Sequence, residues 1–339
     1  MHKTIYDIAK IAGVSPSTVS RVINNNYPVK KETRELVEKA IEKEGYRPNL
    51  IAKGLITKNT LNLGVVVPGI TNLFFPSIVE EINNNLASEG FTISLFTTSG
   101  DFTEERKVID NITSRRMDGI FIIDPSKENL ENGYLAEISA RVPTLVVNGM
   151  TDIADINFIS YNEETGTKEA LDYLHRLGHR AILFIRGDSS ISYDLREKVY
   201  KRHTRDNKLD YCNVISVGQG NTASVIEETE KVIRRWTRNG PDATAIFACN
   251  DLMAMGALNG LIKEGLKVPD DISIIGFDNT ILSTISNPNL TTVDIDVKFI
   301  GKKASEMMLF MVRNKEIKVD RIIMDTSVKY RESCKERIK

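Results

Sequence analysis

Strand-length apolar runs that alternate with helix-length amphipathic stretches constrain this chain more than any other feature. The runs fall at 63–67, 92–96, 119–123, 144–147, 181–185, 214–217, 245–248 and 273–277. Each is almost continuously apolar, as a strand buried on both faces must be, and helical patterns such as 76–89 and 104–116 separate them. Parallel strands need such crossovers. The pattern therefore predicts two α/β units in series, each around a parallel sheet, the second starting near residue 160. In open sheets of this kind ligands bind beyond the carboxyl ends of the strands. Two such edges facing each other make a cleft.

A chain of 339 residues is too long for one ordinary core. The alternation begins only near residue 61, so a separate head precedes it. The formal net charge is −1, yet residues 1–58 carry eleven Lys/Arg against six Asp/Glu, leaving the rest clearly acidic. A basic head on an acidic body points to a polyanionic partner for the head alone. The three cysteines, Cys212, Cys249 and Cys334, form no short-spaced pair. That argues against a zinc or redox motif and fits a reducing, cytoplasmic setting. The apolar runs are far too short to span a bilayer, so no membrane partner is expected. Neither phosphate-cradling glycine loops, a nucleophile elbow nor an HExxH pair occurs, so no enzyme, cofactor or metal is expected.

The head reads as three short helices over 5–11, 16–23 and 31–44. Thr4 can cap the first, with Asp7 in its opening turn; Ser15 can cap the second, with Pro16 at the tolerated first position. Gly13 makes the tight turn between them, and Gly45 ends the third. Leu36, Val37, Ala40 and Ile41 form the apolar stripe of that third helix. Helix, glycine turn and helix is the helix-turn-helix arrangement. Ser17 and Thr18 at the leading end of the second helix can meet base edges or phosphates, and Arg21 one turn on can present two donors to a guanine or remain a solvated charge. Residues 50–56 fit a short helix that is unstable alone, weakened further by Gly54.

Residues 4–59 resemble the DNA-binding head of the lactose-repressor (LacI/GalR) family of bacterial regulators. The resemblance is carried by Thr4–Ile5–Tyr6–Asp7–Ile8–Ala9, Gly13–Val14–Ser15, Thr18–Val19–Ser20–Arg21–Val22, Asn24, Thr33–Arg34 and Gly45–Tyr46–Arg47–Pro48–Asn49. It continues through NLGVVVPGITNLFFPSIVEEI, LGHRAILFIRG, FACNDLMAMGA and VPDDISIIGFDN to nearly the end of the chain. It implies a periplasmic-binding-protein-like body of two subdomains, and a homodimer that reads a pseudo-palindromic operator. The domain plan is then a head over 1–47, a hinge helix and linker over 48–60, and a body over 61–339. By the same resemblance Pro16, Ser17 and Arg21 occupy base-reading positions. Asn49, Ala52 and Lys53 fall on a hinge facing the minor groove, and Leu55 matches an apolar wedge between central base pairs. The alternative for Leu55 is packing on the body.

The ends of the strands supply the ligand candidates. Phe74 and Phe75 follow the first strand, as a ligand wall or as core. Asn148, Asn250 and Asp278 each follow a strand, and Asn250 can instead cap the next helix. Tyr161 opens the second unit. The family pattern adds Asp101 and Arg196. Arg196 stands for a guanidinium fork toward the ligand, or else a surface salt bridge, and Val199 replaces a usual glycine nearby. Asn, Asp and Arg with aromatic walls suit a small polar effector, a sugar or a nucleoside. The expected function is repression of a carbohydrate-related operon under effector control; the alternative is a catabolite-control-type regulator partnered by a phosphocarrier protein. Residues 330–339 are mostly charged and read as a frayed end.

Overall fold

The computed structural model describes residues 3–25, 27–47, 59–148, 155–188, 190–314 and 320–337. By compactness the chain divides into residues 1–60 and 61–339.

In the first unit α1 (Ile5–Ala12), α2 (Pro16–Asn24) and α3 (Lys31–Glu44) surround a small core of Ile8, Ala9, Val19, Val22, Val37 and Ala40. The Thr4 side chain and Asp7 cap each other's backbone in a reciprocal capping box. Gly13 sits at φ +66°, a left-handed conformation glycine adopts without cost, and turns α1 into α2. Ser15 caps α2 ahead of Pro16. The stripe expected on α3 is only partly inward: Val37 and Ala40 are buried, but Leu36 is 56% exposed.

The second unit holds two six-stranded sheets. In chain order the first half runs β1 (Asn62–Val67), α4 (Phe74–Ala87), β2 (Thr92–Thr97), α5 (Phe102–Ser114), β3 (Gly119–Ile123), α6 (Lys127–Glu131), α7 (Tyr134–Ser139), β4 (Thr144–Val147) and β5 (Asn157–Tyr161). The second half continues with α8 (Glu163–Arg176), β6 (Ile182–Arg186), α9 (Ile191–Asp206), β7 (Asn213–Ser216), α10 (Val225–Arg238), β8 (Ala245–Ala248), α11 (Asp251–Lys263), β9 (Ser273–Phe277), α12 (Leu282–Ile285) and β10 (Thr291–Asp294). Then come α13 (Val297–Asn314), β11 (Arg321–Met324) and β12 (Ser327–Lys329). The strand orders are β11-β5-β4-β3-β1-β2 and β12-β10-β9-β8-β6-β7.

The sheets define two lobes, but not in simple series. After β10 the chain returns to the first lobe, where α13 packs on α4 and β11 pairs with the far side of β5. It then crosses once more to β12. Three short crossings therefore join the lobes, around Asn162, Ile295–Asp296 and Asp325–Thr326. β11 runs parallel to β5, toward the cleft, so a strand starting three residues later in the other lobe must run away from it. β12 is accordingly antiparallel to β10, and the second sheet is mixed rather than purely parallel.

Gly166 on α8 shows how tightly the crossings are packed: a Cβ there would lie 2.4 Å from Thr326 Oγ1 and 2.6 Å from Val293 Cγ1. The stretch 331–337 is not frayed. Ser333 is fully buried, its Oγ accepting from Thr291 N–H and donating to Ile274 C=O, and Arg337 N–H donates to Leu177 C=O. Its other charges point outward, Arg331 donates to Leu290 C=O and Asn279 Oδ1, and its backbone is held by the second lobe.

Candidate ligand cleft and nucleic-acid interface

On the head, Ser17 and Arg21 stand on the exposed side of α2, with Pro16 and Thr18 half-buried at its start. The Ser15 hydroxyl lies 2.8 Å from Ser17 Oγ and 2.9 Å from Thr18 Oγ1, which orients both hydroxyls at the helix entrance. Arg21 lies 5.4 Å from the centroid of the exposed Tyr27 ring, a cation–π contact that steadies a long side chain. Thr4 is committed to its cap. Asn24 turns back on its own helix, its Nδ2 donating to Ser20 C=O at 2.9 Å. Asn49, Ala52, Lys53 and Leu55, and the short helix expected around them, lie outside the described residues.

In the body, the reversal of strand order falls at β1 and β6, where the neighbours β2 and β3, and β7 and β8, diverge. The cleft opens at the carboxyl ends of these strands, as the topology requires. An inner cavity of about 20 Å³ is lined by Phe74, Phe75, Asn148, Tyr161, Arg196, Asn250 and Asp278 together with Asn72, Asp124, Tyr193 and Asn221. That leaves room for about one water molecule. An outer chamber of about 170 Å³ shares Asp124, Ser190 and Asn221 with it.

The structure thus brings together seven of the eight residues singled out for a ligand. Asp101 is the exception: exposed, with its carboxylate accepting from Thr103 and Glu104 N–H as the cap of α5. α4 begins earlier than the sequence suggested, so Phe74 and Phe75 sit in its first turn as buried residues. Their rings meet edge-on at 5.3 Å, and Phe74 meets Tyr161 edge-on at 6.3 Å. They are core residues whose edges floor the cleft.

Arg196 is on α9 and only 2% exposed, so it is no surface salt bridge. Its Nε donates to Glu163 at 2.6 Å, one Nη donates to Cys249 C=O, the other to Tyr161 OH at 3.2 Å, and the guanidinium lies 3.4 Å from the Phe277 ring centroid. Asn250 does both things its sequence allowed. Its Oδ1 caps α11 by accepting from Met253 N–H, while Nδ2 donates to Tyr193 OH and Gly220 C=O.

Asp278 differs from all of these. It is 6% exposed, faces the inner cavity, and its carboxylate makes no hydrogen bond or ion pair among the described residues. Burial pushes its pKa well above the ordinary value, with the positive Arg196 opposing the shift. Burial likewise raises Asp124 to about 7, with Arg196 opposing and Glu163 and Glu105 adding.

The lobes are tied across the cleft chiefly by Asn221, which the sequence did not single out. Asn221 Oδ1 accepts from Asn72 Nδ2 at 3.2 Å and from Tyr193 OH at 2.7 Å, and its Nδ2 donates to Asp124 at 3.4 Å. Asn148 Nδ2 donates to Ser192 Oγ at 3.2 Å, and Ala223 N–H donates to Thr71 Oγ1 at 3.1 Å. These bonds hold the cleft closed.

A helix-turn-helix head and a two-lobed body around a polar cleft define a class, DNA-binding regulators that carry a ligand-binding module. Residues 4–49 match the bacterial regulatory proteins of the lacI family, and residues 171–334 match a periplasmic binding protein-like domain. The chain is 32% identical over 339 residues to catabolite control protein A of Priestia megaterium, covering 99% of this chain and 100% of that protein. It is 31% identical over 318 residues to the HTH-type transcriptional repressor PurR of Vibrio atlanticus (strain LGP32), covering 92% and 93%. Among solved structures it is similar to the lac repressor dimer bound to operator and the anti-inducer ONPF, with a TM-score of 0.87 at 27% identity, covering 98% of this chain and 99% of that one. The chain belongs to the lacI family, and is a DNA-binding transcriptional regulator rather than an enzyme. Among the described residues, no helix is long and apolar enough to cross a membrane.

Proposed function

We propose that this regulator is a homodimeric repressor of a carbohydrate-related operon, and that a sugar or nucleoside bound between the lobes sets its operator affinity. The observation that carries the reading is Asp278, a buried carboxylate facing the cavity with no partner for its oxygens among the described residues. An unpaired buried acid is costly unless something binds it, and ligand hydroxyls or amines donate to it directly. The inner cavity is too small for a ligand in the closed arrangement, so the bonds from Asn221 and Asn148 must break for one to enter. A ligand moves the regulator only through its difference in affinity for the open and closed bodies. Ile281 and Ile285 are 60% and 67% exposed and offer apolar surface for a second copy. The similarity to a catabolite control protein favours a second reading, co-regulation by a phosphocarrier protein.

The test pairs operator selection with a ligand screen. Full-length protein is first used to select its DNA sequence from a random library, then titrated on that DNA with sugars and nucleosides. One compound should change operator affinity at least tenfold, and Asp278→Ala should abolish that response while leaving ligand-free DNA binding unchanged. An undiminished response in Asp278→Ala overturns the placement of the ligand. Capture by an immobilised phosphocarrier protein, with no small-molecule response, supports the second reading instead.

A further inference from the structure

We infer that the cleft selects a ligand without negative charge, and that an amine-bearing polyol suits it better than its neutral counterpart. The inference rests on the cleft being the ligand site, and concerns what charge that site accepts.

The inner cavity is lined by two carboxylates, Asp124 and Asp278, and by one cation, Arg196. The cation is already balanced: Glu163, 5% exposed, holds Arg196 Nε at 2.6 Å. A guanidinium has five N–H donors, and three of those on Arg196 are taken by Glu163, Cys249 C=O and Tyr161 OH. The other two can still donate to a hydroxyl, but no uncompensated positive charge remains for a carboxylate or phosphate. The acids are compensated less well. Asp278 has no partner among the described residues, and Asp124 accepts only from the neutral amides of Asn148 and Asn221.

The outer chamber has the same sign. Asp124, Glu128, Asp188 and Asp194 line it against one lysine, Lys127. Asp194 is paired with Arg186, but Asp188 accepts from the Ser216 hydroxyl and Glu128 has no ion pair among the described residues. The path from the mouth to the floor of the cleft therefore carries an excess of carboxylate. Low-dielectric walls focus such a field. An anionic ligand crosses that field and arrives at an acid with nothing to offer it. An ammonium group gains at both places. The raised pKa values of Asp124 and Asp278 have the same main origin, burial, with the negative Glu163 adding to both.

The experiment measures melting temperature on the full-length protein in three arms. In the first, hexoses, 2-amino-2-deoxyhexoses, hexuronates and hexose 6-phosphates of matched stereochemistry are added at equal ionic strength. Saturable stabilisation should rank amine above neutral above anionic and vanish in Asp278→Ala. In the second, melts from about pH 5 to pH 9 should show Asp278→Asn gaining on the parent as pH rises, by about 2 °C at the alkaline end, because burial disfavours the charged form of the parent acid. In the third, inorganic phosphate should stabilise Glu163→Gln more than the parent, because the substitution frees the charge of Arg196; comparing the two chains cancels the general salting effect of phosphate. Should Glu163→Gln not fold, the other arms still decide. Saturable binding of a uronate or sugar phosphate by the parent, lost in Asp278→Ala, overturns the inference. So does a melting temperature of Asp278→Asn that never exceeds the parent's across that pH range. If none of the sugars binds, the sugar reading of the cleft falls, and the third arm still reads the charge: phosphate stabilising the parent as much as Glu163→Gln overturns the inference.

Discussion

Asp124 lies where the two lobes meet, in a left-handed backbone conformation at φ +52° directly after β3. Its pKa of about 7 stands above the ordinary 3.8, so between these values the folded chain holds a proton that the unfolded chain has released. A folded state that binds more protons loses stability as pH rises through that window. Asp251, raised to about 6 by burial against the pull of its bonds from Thr292 and Thr280, acts in the same direction. The stability these two acids contribute should therefore fall from about pH 4 to pH 7, and Asp124→Asn should gain in melting temperature on the parent across that window; a constant difference means the carboxyl is better solvated than its surroundings indicate. On the head, Arg21→Ala should weaken selected over scrambled DNA by about 1–3 kcal/mol if the guanidinium is bidentate to a base. Equal losses on both DNAs would reduce it to a phosphate contact. The rule that candidates follow strand ends found Asn148, Asn250 and Asp278, and applied evenly it finds Asp124 as well. Asn221 was not legible that way. It lies in a turn well past β7, and it reaches the cleft only because the other lobe brings Asn72 and Asp124 to it.

The helices and strands that built the cleft were readable from apolar periodicity, and those that complete the lobes were not. β5 is interrupted by Asn157 and Ser160, both buried with polar groups, which breaks the apolar run. β11 and β12 are short edge strands with alternating exposure, a weak pattern in a charged region. The charge of 331–337 was read as solvent exposure, although the side chain that decides its place is the small Ser333. Two substitutions test the packing of individual elements. Ser15→Ala removes the cap of α2 and should lower the stability of the head by about 1 kcal/mol, seen as faster hydrogen exchange of amides in α1–α3. Gly166→Ala forces a methyl group against Thr326 and Val293, and overpacking of this kind costs about 1–3 kcal/mol. Its melting temperature should drop while the helical signal of the native state persists. A neutral effect would mean that α8 can shift outward freely.

At the scale of the molecule, the closed body and its buried ion pair belong to one arrangement. Arg196 on α9 of one lobe reaches Tyr161 at the end of β5 in the other, while Glu163 opens the helix that follows the first crossing. Removing one member of a buried pair leaves the other uncompensated, which costs about 3–5 kcal/mol. Glu163→Ala should accordingly destabilise the body far more than Lys107→Ala, which breaks only the exposed Lys107–Glu104 pair on α5, measured by urea denaturation. A difference below about 1 kcal/mol would show that water reaches Arg196 after all. The threefold crossing also bears on how the protein is made. A ribosome releases residues 61–161 long before it reaches α13 and β11, so the first sheet emerges with β5 as a bare edge and the apolar side of α4 uncovered. The second lobe must be translated as far as β10 before either gap is closed. A nascent chain of this design has to shelter that surface during synthesis. A message cut after residue 296 would leave the first lobe without α13 and β11 and the second without β12 and the stretch 331–337, so neither lobe could finish folding.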